Sequence, residues 1–332
     1  MLQKKQKKGR YIPCYLCNKI THHDSWSLKQ YKKFFCSKKC NIEYLAKTRK
    51  EKNYQKELIM IQQIKEKIKK DINIKTHRAK LIGHLLGDGS ITKYKKKEHY
   101  EHKIRYYNTN KKLVEDFVKS FDKYIGQHHS IFLREGWKKP IFSTQITNKI
   151  AHHLLSSDIK NPDFNTIEEK QAFLQALFDD EGSVQWISKT KSISFYNTNI
   201  QTLLDVKKYL NDLGIETTKI YKNKGSIGHF GKKILYSLRI SKLKNLREFY
   251  NKIGFVSDDK REKLKYCVLH LENVLNRKLK RNILKQEAIS LARKGKHYKE
   301  IANKINIPKS TICEWVKKDY NYRNLVLQKM GI

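Results

Sequence analysis

GHLLGDGSI at residues 83–91 and ALFDDEGSV at residues 176–184 say nearly the same thing. Each is followed by a polar, aromatic segment ending in YNTN, at 107–110 and again at 196–199. Each then enters a helical run that closes on a glycine, Gly126 in one case and Gly214 in the other. A chance motif would not bring its downstream neighbours with it, so one unit has been written twice. Each copy delivers one acid, Asp88 or Glu181, at the end of an apolar helix.

Working outward, the first copy reads as a helix over 77–87, strands near 90–94 and 102–108, and a helix over 111–125 capped by Thr109 or Asn110. Strands at 130–135 and 140–146 and a short helix at 147–155 complete it. The second copy runs in the same order: helix 167–180, strands near 183–188 and 191–197, helix 200–213, strands near 217–222 and 234–240, helix 242–252.

Gly83 and Gly87 lie four apart, on one face of the first helix, where glycine costs stability relative to alanine. Close approach of a second helix would compensate, and the same register in the second copy holds Ala176 and Asp180. Two such helices packed face to face bring Asp88 and Glu181 together at the negative poles of both helix dipoles. Unaided, two carboxylates there repel and tend to hold a proton. A hard divalent cation removes the conflict, and Mg²⁺ is typically held by one or two carboxylates plus phosphate oxygens. The plainer alternative, that GDG and DEG only end helices, would serve for one copy but not for two with the same sequel.

The chain has 332 residues, enough for two or three domains, and its 72 Lys and Arg against 32 Asp and Glu give a formal charge of +40. Such an excess repels itself unless a polyanion relieves it, and nucleic acid does so through counterion release. A lysine-rich coding bias would not by itself leave acids so outnumbered. No apolar run approaches membrane-spanning length, and MLQKKQKKGR at 1–10 lacks the apolar stretch of a signal peptide.

Four of the six cysteines fall in tight pairs, Cys14-x2-Cys17 and Cys36-x3-Cys40. Without an export signal this spacing favours thiolates over disulfides and suits a structural Zn²⁺ site; His22 or His23 is the alternative fourth ligand. Cys267 and Cys313 stand alone and are expected to be packed. The compartment implied is a prokaryotic cytoplasm, for a host- or phage-encoded chain, with an organellar matrix as the alternative.

Residues 1–10 read as a disordered basic tail, and Leu58, Ile61, Ile64 and Ile68 space an amphipathic helical connector. Near the other end, Leu284, Ala288 and Leu291 mark one helix, Gly295 stops it, and Tyr298–Ile305 gives a second. After Asn306-Ile307-Pro308, Ile312, Trp315 and Val316 would face inward on a third. This pattern resembles the helix-turn-helix of resolvases, which would present Lys309, Ser310, Thr311, Glu314 and Lys317 to a major groove. A packing module that binds nothing is the alternative.

LIGHLLGDGSI (81–91) and FLQALFDDEGSV (173–184) resemble the two motifs of monomeric LAGLIDADG homing endonucleases, over roughly residues 77–265. The resemblance implies an α+β fold, a duplicated αββαββα core whose two antiparallel sheets form a DNA-binding saddle. It implies magnesium-dependent hydrolysis of one phosphodiester on each strand of a long asymmetric duplex site, as in intron homing. Asp88 and Glu181 would be the metal-binding acids, with the backbone carbonyls of Gly87 and Asp180 as further ligands. Asn110 and Asn199 would lie near the attacking water, each with a helix cap as its alternative role, and Lys260 would join a basic pocket. Lys103, Arg105 and Tyr107 share one strand face and Ile104, Tyr106 and Asn108 the other; Arg134 and Arg239 are further candidates for DNA contact. Two residues depart from the pattern. Asp180 stands at a position that is usually small, and His84 replaces an aliphatic residue and reads as a packed or surface histidine.

The expected organisation is thus a basic tail and zinc finger over 1–45, a helical basic linker over 46–76, repeats over 77–160 and 161–270, and a helix-turn-helix domain over 271–332. Such a chain would act as a monomer on double-stranded DNA. The rival readings are an intron RNA maturase and a non-catalytic transcription regulator of the same fold, although such regulators typically lack the acids. An intein is not expected, because KMGI at 329–332 offers no terminal His-Asn.

Overall fold

The structure is a computed structural model that describes residues 9–96, 99–135, 139–187, 190–223 and 234–329. Residues 1–8 of the basic tail, position 188 of the strand expected at 183–188, and positions 330–332 of the closing KMGI lie outside the described residues.

A small amino-terminal unit pairs β1 (Gly9–Pro13) with β2 (Ile20–Asp24), followed by α1 (Ser25–Gln30). From it α2 (Lys38–Lys70) leads to α3 (Ile72–Leu86). The first repeat continues with β3 (Gly89–Lys96), β4 (His99–Asn108), α4 (Lys111–Ile125), β5 (Phe132–Arg134), β6 (Ile141–Thr147) and α5 (Lys149–Lys160). The second repeat is α6 (Ile167–Glu181), β7 (Gly182–Ile187), β8 (Thr190–Asn197), α7 (Ile200–Asp212), β9 (Tyr221–Asn223), β10 (Leu235–Ile240) and α8 (Leu243–Lys252). Then come α9 (Asp258–Arg293), α10 (Tyr298–Ile305) and α11 (Lys309–Lys329). The two repeats are each αββαββα, and the fold is α+β.

Each repeat builds one four-stranded antiparallel sheet, in the orders β3-β4-β6-β5 and β7-β8-β10-β9. Strand alternation sets what each face carries. Ile104 and Tyr106 of β4, and Ile193 and Phe195 of β8, are fully buried against the helices. Their neighbours Lys103, Arg105 and Tyr107 therefore lie on the other, open face of the first sheet.

α3 and α6 form the seam between the repeats. A Cβ added at Gly83 would stand 2.6 Å from the Phe173 carbonyl oxygen and 2.9 Å from the Ala176 Cβ. The glycine is what lets the two backbones touch, as its position on the helix face suggested. The core spreads from this seam under both sheets, through Leu81, Ile82, Phe117, Phe173, Leu177, Phe178 and Phe249.

Local chemistry sets the helix borders. α3 begins five residues before the expected start at 77 because the Asp71 carboxylate accepts a hydrogen bond from the Asn73 amide and caps it there. α5 starts at Lys149 because Asn148 caps it through the Ala151 amide. α6 carries a full capping box, with Thr166 and Glu169 each satisfying the other's backbone.

Two long helices carry the outlying units. α2 has 33 residues, so it is about 50 Å long. Ile61, Ile64 and Ile68 near its end pack on the core, whereas Ile42, Leu45 and Tyr54 are exposed. α9 has 36 residues and runs unbroken through positions 270 and 271. Leu264 and Val268 near its start are buried in the main core, while Ala288 near its end joins a separate core with Ile301, Ile305, Ile312 and Trp315.

Candidate active site

Asp88 and Glu181 come to the same edge of the α3–α6 seam, each immediately before the first strand of its sheet. Partial burial, then the neighbouring Asp180 carboxylate, lift the Asp88 carboxyl to about 6. Burial, then Asp88 and Asp180, lift Glu181 to about 7. The two acids thus share one electrostatic neighbourhood. Acids this strained at neutral pH are what a divalent cation relieves, and a hard oxygen donor set fits magnesium rather than a softer metal.

Between them lies a buried polar cluster. The Asp180 side chain is fully buried; its Oδ1 accepts a hydrogen bond from the Tyr106 hydroxyl at 2.5 Å, and its Oδ2 lies 3.1 Å from His84 Nδ1. The other His84 nitrogen is 3.5 Å from Asp116 Oδ2, at the limit of hydrogen-bond reach, and Lys80 donates to both Asp116 oxygens at 2.7 and 2.8 Å. Burial alone would push the His84 imidazole down, but the Asp180 and Asp116 carboxylates outweigh it and raise it to about 9. His84 is therefore a buried cation, not a surface residue, and Asp180 fits its unusual place because this cation neutralises it.

Lys260, at the start of α9, is half-buried beside the acids and donates to the backbone carbonyls of Phe178 and Asp179 at the end of α6. Burial lowers its ammonium, against the pull of Asp179, Asp180, Asp88 and Glu181. Asp179 holds this arrangement together by accepting from the Val256 and Ser257 amides at 2.8 and 3.0 Å, which anchors the chain just before α9.

The two asparagines singled out in the sequence use their side chains at helix starts. Asn110 and Asn199 cap α4 and α7, accepting from the Lys112 and Gln201 amides at 3.1 and 3.0 Å. Their alternative role as caps is the one in the structure. The asparagine that reaches an acid is Asn108, whose Nδ2 donates to Asp88 Oδ2 at 2.9 Å. Sequence reasoning placed Tyr106 and Asn108 on a strand face without a role at the acids, and passed over Asp116 and Lys80. The available signal was that His84 and Asp180, the two departures from the motif pattern, fall on facing helices.

On the open face of the first sheet, residues directly opposite share a side, which groups Ser90 and Thr92 with Arg105 and Lys103, and these with Gln145 and Thr147. Arg105 Nε donates to Gln145 Oε1 at 3.1 Å, Lys103 pairs with Glu101 at 3.1 Å, and the Arg134 guanidinium lies 5.2 Å from the Tyr107 ring centre. On the second sheet Arg239 stands opposite Ser194 and is exposed. At the far end, Lys309, Ser310 and Lys317 are exposed and Thr311 half-buried along α11, while Ile312 and Trp315 face inward.

Cys14, Cys17, Cys36 and Cys40 converge, with all four sulfurs within 4.8 Å of one another and the closest pairs at 3.4 Å. A tetrahedral zinc with bonds of about 2.3 Å needs sulfurs about 3.8 Å apart, so this cluster fits the ion. His22 and His23 are on β2 and outside this cluster. Of the two lone cysteines, Cys267 is buried, as expected, and Cys313 is half-buried.

The family model described as LAGLIDADG-like domain matches residues 168–254, which is the second repeat. Homing endonuclease I-ApeI of Aeropyrum pernix is 25% identical over 201 residues, covering 55% of this chain and 83% of that protein. A probable intron-encoded endonuclease 1 of Wickerhamomyces canadensis is 27% identical over 162 residues, covering 43% and 69%. Among solved structures, I-DmoI in complex with DNA and manganese is 20% identical, covers 54% of this chain and 97% of its own, and superposes with a TM-score of 0.44. No described helix is long and apolar enough to cross a membrane.

Proposed function

We propose that the chain is a site-specific DNA endonuclease that hydrolyses one phosphodiester on each strand of a long asymmetric duplex. The observation that carries this reading is the pair of acids, one per repeat, lifted to about 6 and 7 by burial and by neighbouring carboxylates at one edge of the helix seam. Two curated relatives are named as endonucleases, which supports the same class.

Asp88 and Glu181, with the carbonyls of Gly87 and Asp180, would hold the Mg²⁺. When bound, the metal supplies charge to the reacting phosphate oxygens and lowers the pKa of a water. The chain's own residues do the rest. Lys260 brings a partly desolvated positive charge to the acids. Asn108 orients Asp88, which leaves Asn110 and Asn199 to fix the helix starts behind the strands. The open sheet faces, with Lys103, Arg105, Tyr107, Arg134 and Arg239, would lie along the major groove and set the register through phosphates and base edges.

The four-cysteine unit with Zn²⁺ and the α11 residues Lys309, Ser310, Thr311 and Lys317 would extend the footprint beyond the core. The small core of α9, α10 and α11, where the sequence resembles a helix-turn-helix, favours a second reading, a regulator that binds DNA without cutting it. Digestion of a plasmid library carrying random or host-derived inserts separates the two. Linear product in Mg²⁺ from one insert class supports the nuclease; retained binding with no cut supports the regulator.

A further inference from the structure

The two repeats are not equivalent at the acids. Aligning Asp88 with Glu181 pairs His84 with Leu177, Gly87 with Asp180, and Tyr106 with Phe195. The first repeat is therefore polar at two of these pairs, His84 and Tyr106, and the second at the third, Asp180. Phe195 packs on Phe178 with ring centres 5.0 Å apart, whereas Tyr106 spends its hydroxyl on Asp180.

Asp180 belongs to the second repeat but is held wholly by the first. His84 and Tyr106 fix its two oxygens, and Oδ2 also lies 3.4 Å from the Asp88 amide. Tyr106 OH is 3.5 Å from Asn108 Nδ2, which itself donates to Asp88. A continuous set of contacts thus runs from Lys80 and Asp116 through His84, Asp180, Tyr106 and Asn108 to Asp88. Among the described residues nothing hydrogen-bonds the Glu181 carboxylate.

We propose that Asp180, inserted across the seam and clamped by His84 and Tyr106, is a positioning residue for Asp88, so that one of the two acids is pre-organised and the other is not. The proposal rests on the nuclease reading. Its consequence is that the two strands are cut at different rates, and that loosening the clamp slows one strand far more than the other. A carboxylate held in its productive geometry reacts without first being ordered, which is the source of the rate difference.

The test uses a target duplex labelled separately on each strand, cut by the full chain under single-turnover conditions in Mg²⁺. Tyr106→Phe removes one hydroxyl without changing shape, and Asp180→Asn, a second variant should the first misfold, keeps the volume but weakens both contacts. Each is expected to slow one strand about tenfold and the other about twofold or less, to accumulate nicked product, and to leave DNA affinity unchanged. A merely structural role would reduce both strands together. Equal loss on the two strands, or no loss, overturns the proposal while leaving the nuclease reading intact. A wild-type chain that cuts no DNA overturns that reading, and the proposal with it.

Discussion

Gly87 and Asp180 occupy the same position in the two repeats and face each other across the seam: a Cβ built on Gly87 would lie 2.6 Å from both the Cβ and Oδ2 of Asp180. The glycine is the space into which the aspartate fits. Gly87→Ala is therefore expected to destabilise the protein by about 1–3 kcal/mol, the usual cost of overpacking. In an Asp180→Gly background the same change should cost close to nothing. Chemical denaturation of the four proteins of this cycle measures the coupling, and strictly additive losses would show that the two positions do not meet.

His84 gives the stability a pH dependence with a definite sign. Its folded pKa, about 9, lies above the ordinary 6.5 because of Asp180 and Asp116. The stabilisation is full below about 6.5 and is lost as pH rises through about 9. The melting temperature of the wild type should fall across this window more steeply than that of His84→Gln. Parallel curves would mean that the imidazole is neutral in the folded protein.

The acid pair acts in a lower window with no metal present. Asp88 and Glu181 are raised, to about 6 and 7, so the contribution they make is complete below the ordinary carboxylate range and disappears as pH rises through those values. Metal-free protein should lose stability between about pH 4 and pH 7, and Mg²⁺ should restore it above pH 7 because binding requires both acids ionised. Thermal melts with and without Mg²⁺ follow this directly. A Mg²⁺ benefit as large at pH 5 as at pH 8 would rule out these carboxylates as its ligands.

The four-cysteine unit joins the repeats through α2, whose amino-terminal half is exposed. A structural zinc there should be lost without melting the core. Chelation, or Cys17→Ser, is expected to remove one equivalent of zinc and abolish protection of residues 9–37 from hydrogen exchange, with α3 and α6 unchanged. Loss of protection in α6 on chelation would show that zinc holds the whole molecule.

Periodicity and repetition made the core legible. The repeat order and the seam followed from the spacing of Gly83, Gly87 and Ala176, because close helix packing leaves a mark on the sequence. α4 begins at Lys111 and ends at Ile125, as read from the Asn110 cap and Gly126. Side-chain direction at strand ends was less legible. Asn108 and Asn110 are two residues apart and chemically identical, and only the strand's last turn decides which reaches Asp88 and which caps α4. The buried charges were hidden for another reason. His84 and Asp180 each look like a local misfit, and they explain each other only once α3 and α6 are packed together. The unbroken course of α9 was also invisible, since its weakly patterned middle, around Leu275 and Leu279, is exposed and carries no core signal.

The most direct measurement is single-turnover cleavage of a target-bearing duplex in Mg²⁺ by the wild type and by the Asp88→Asn/Glu181→Gln double variant, with binding followed in parallel. Rapid double-strand cutting by the wild type and none by the variant, at equal DNA affinity, is the predicted result. Cutting by the double variant at the wild-type rate would contradict the assignment of these two acids as the centre of the chemistry.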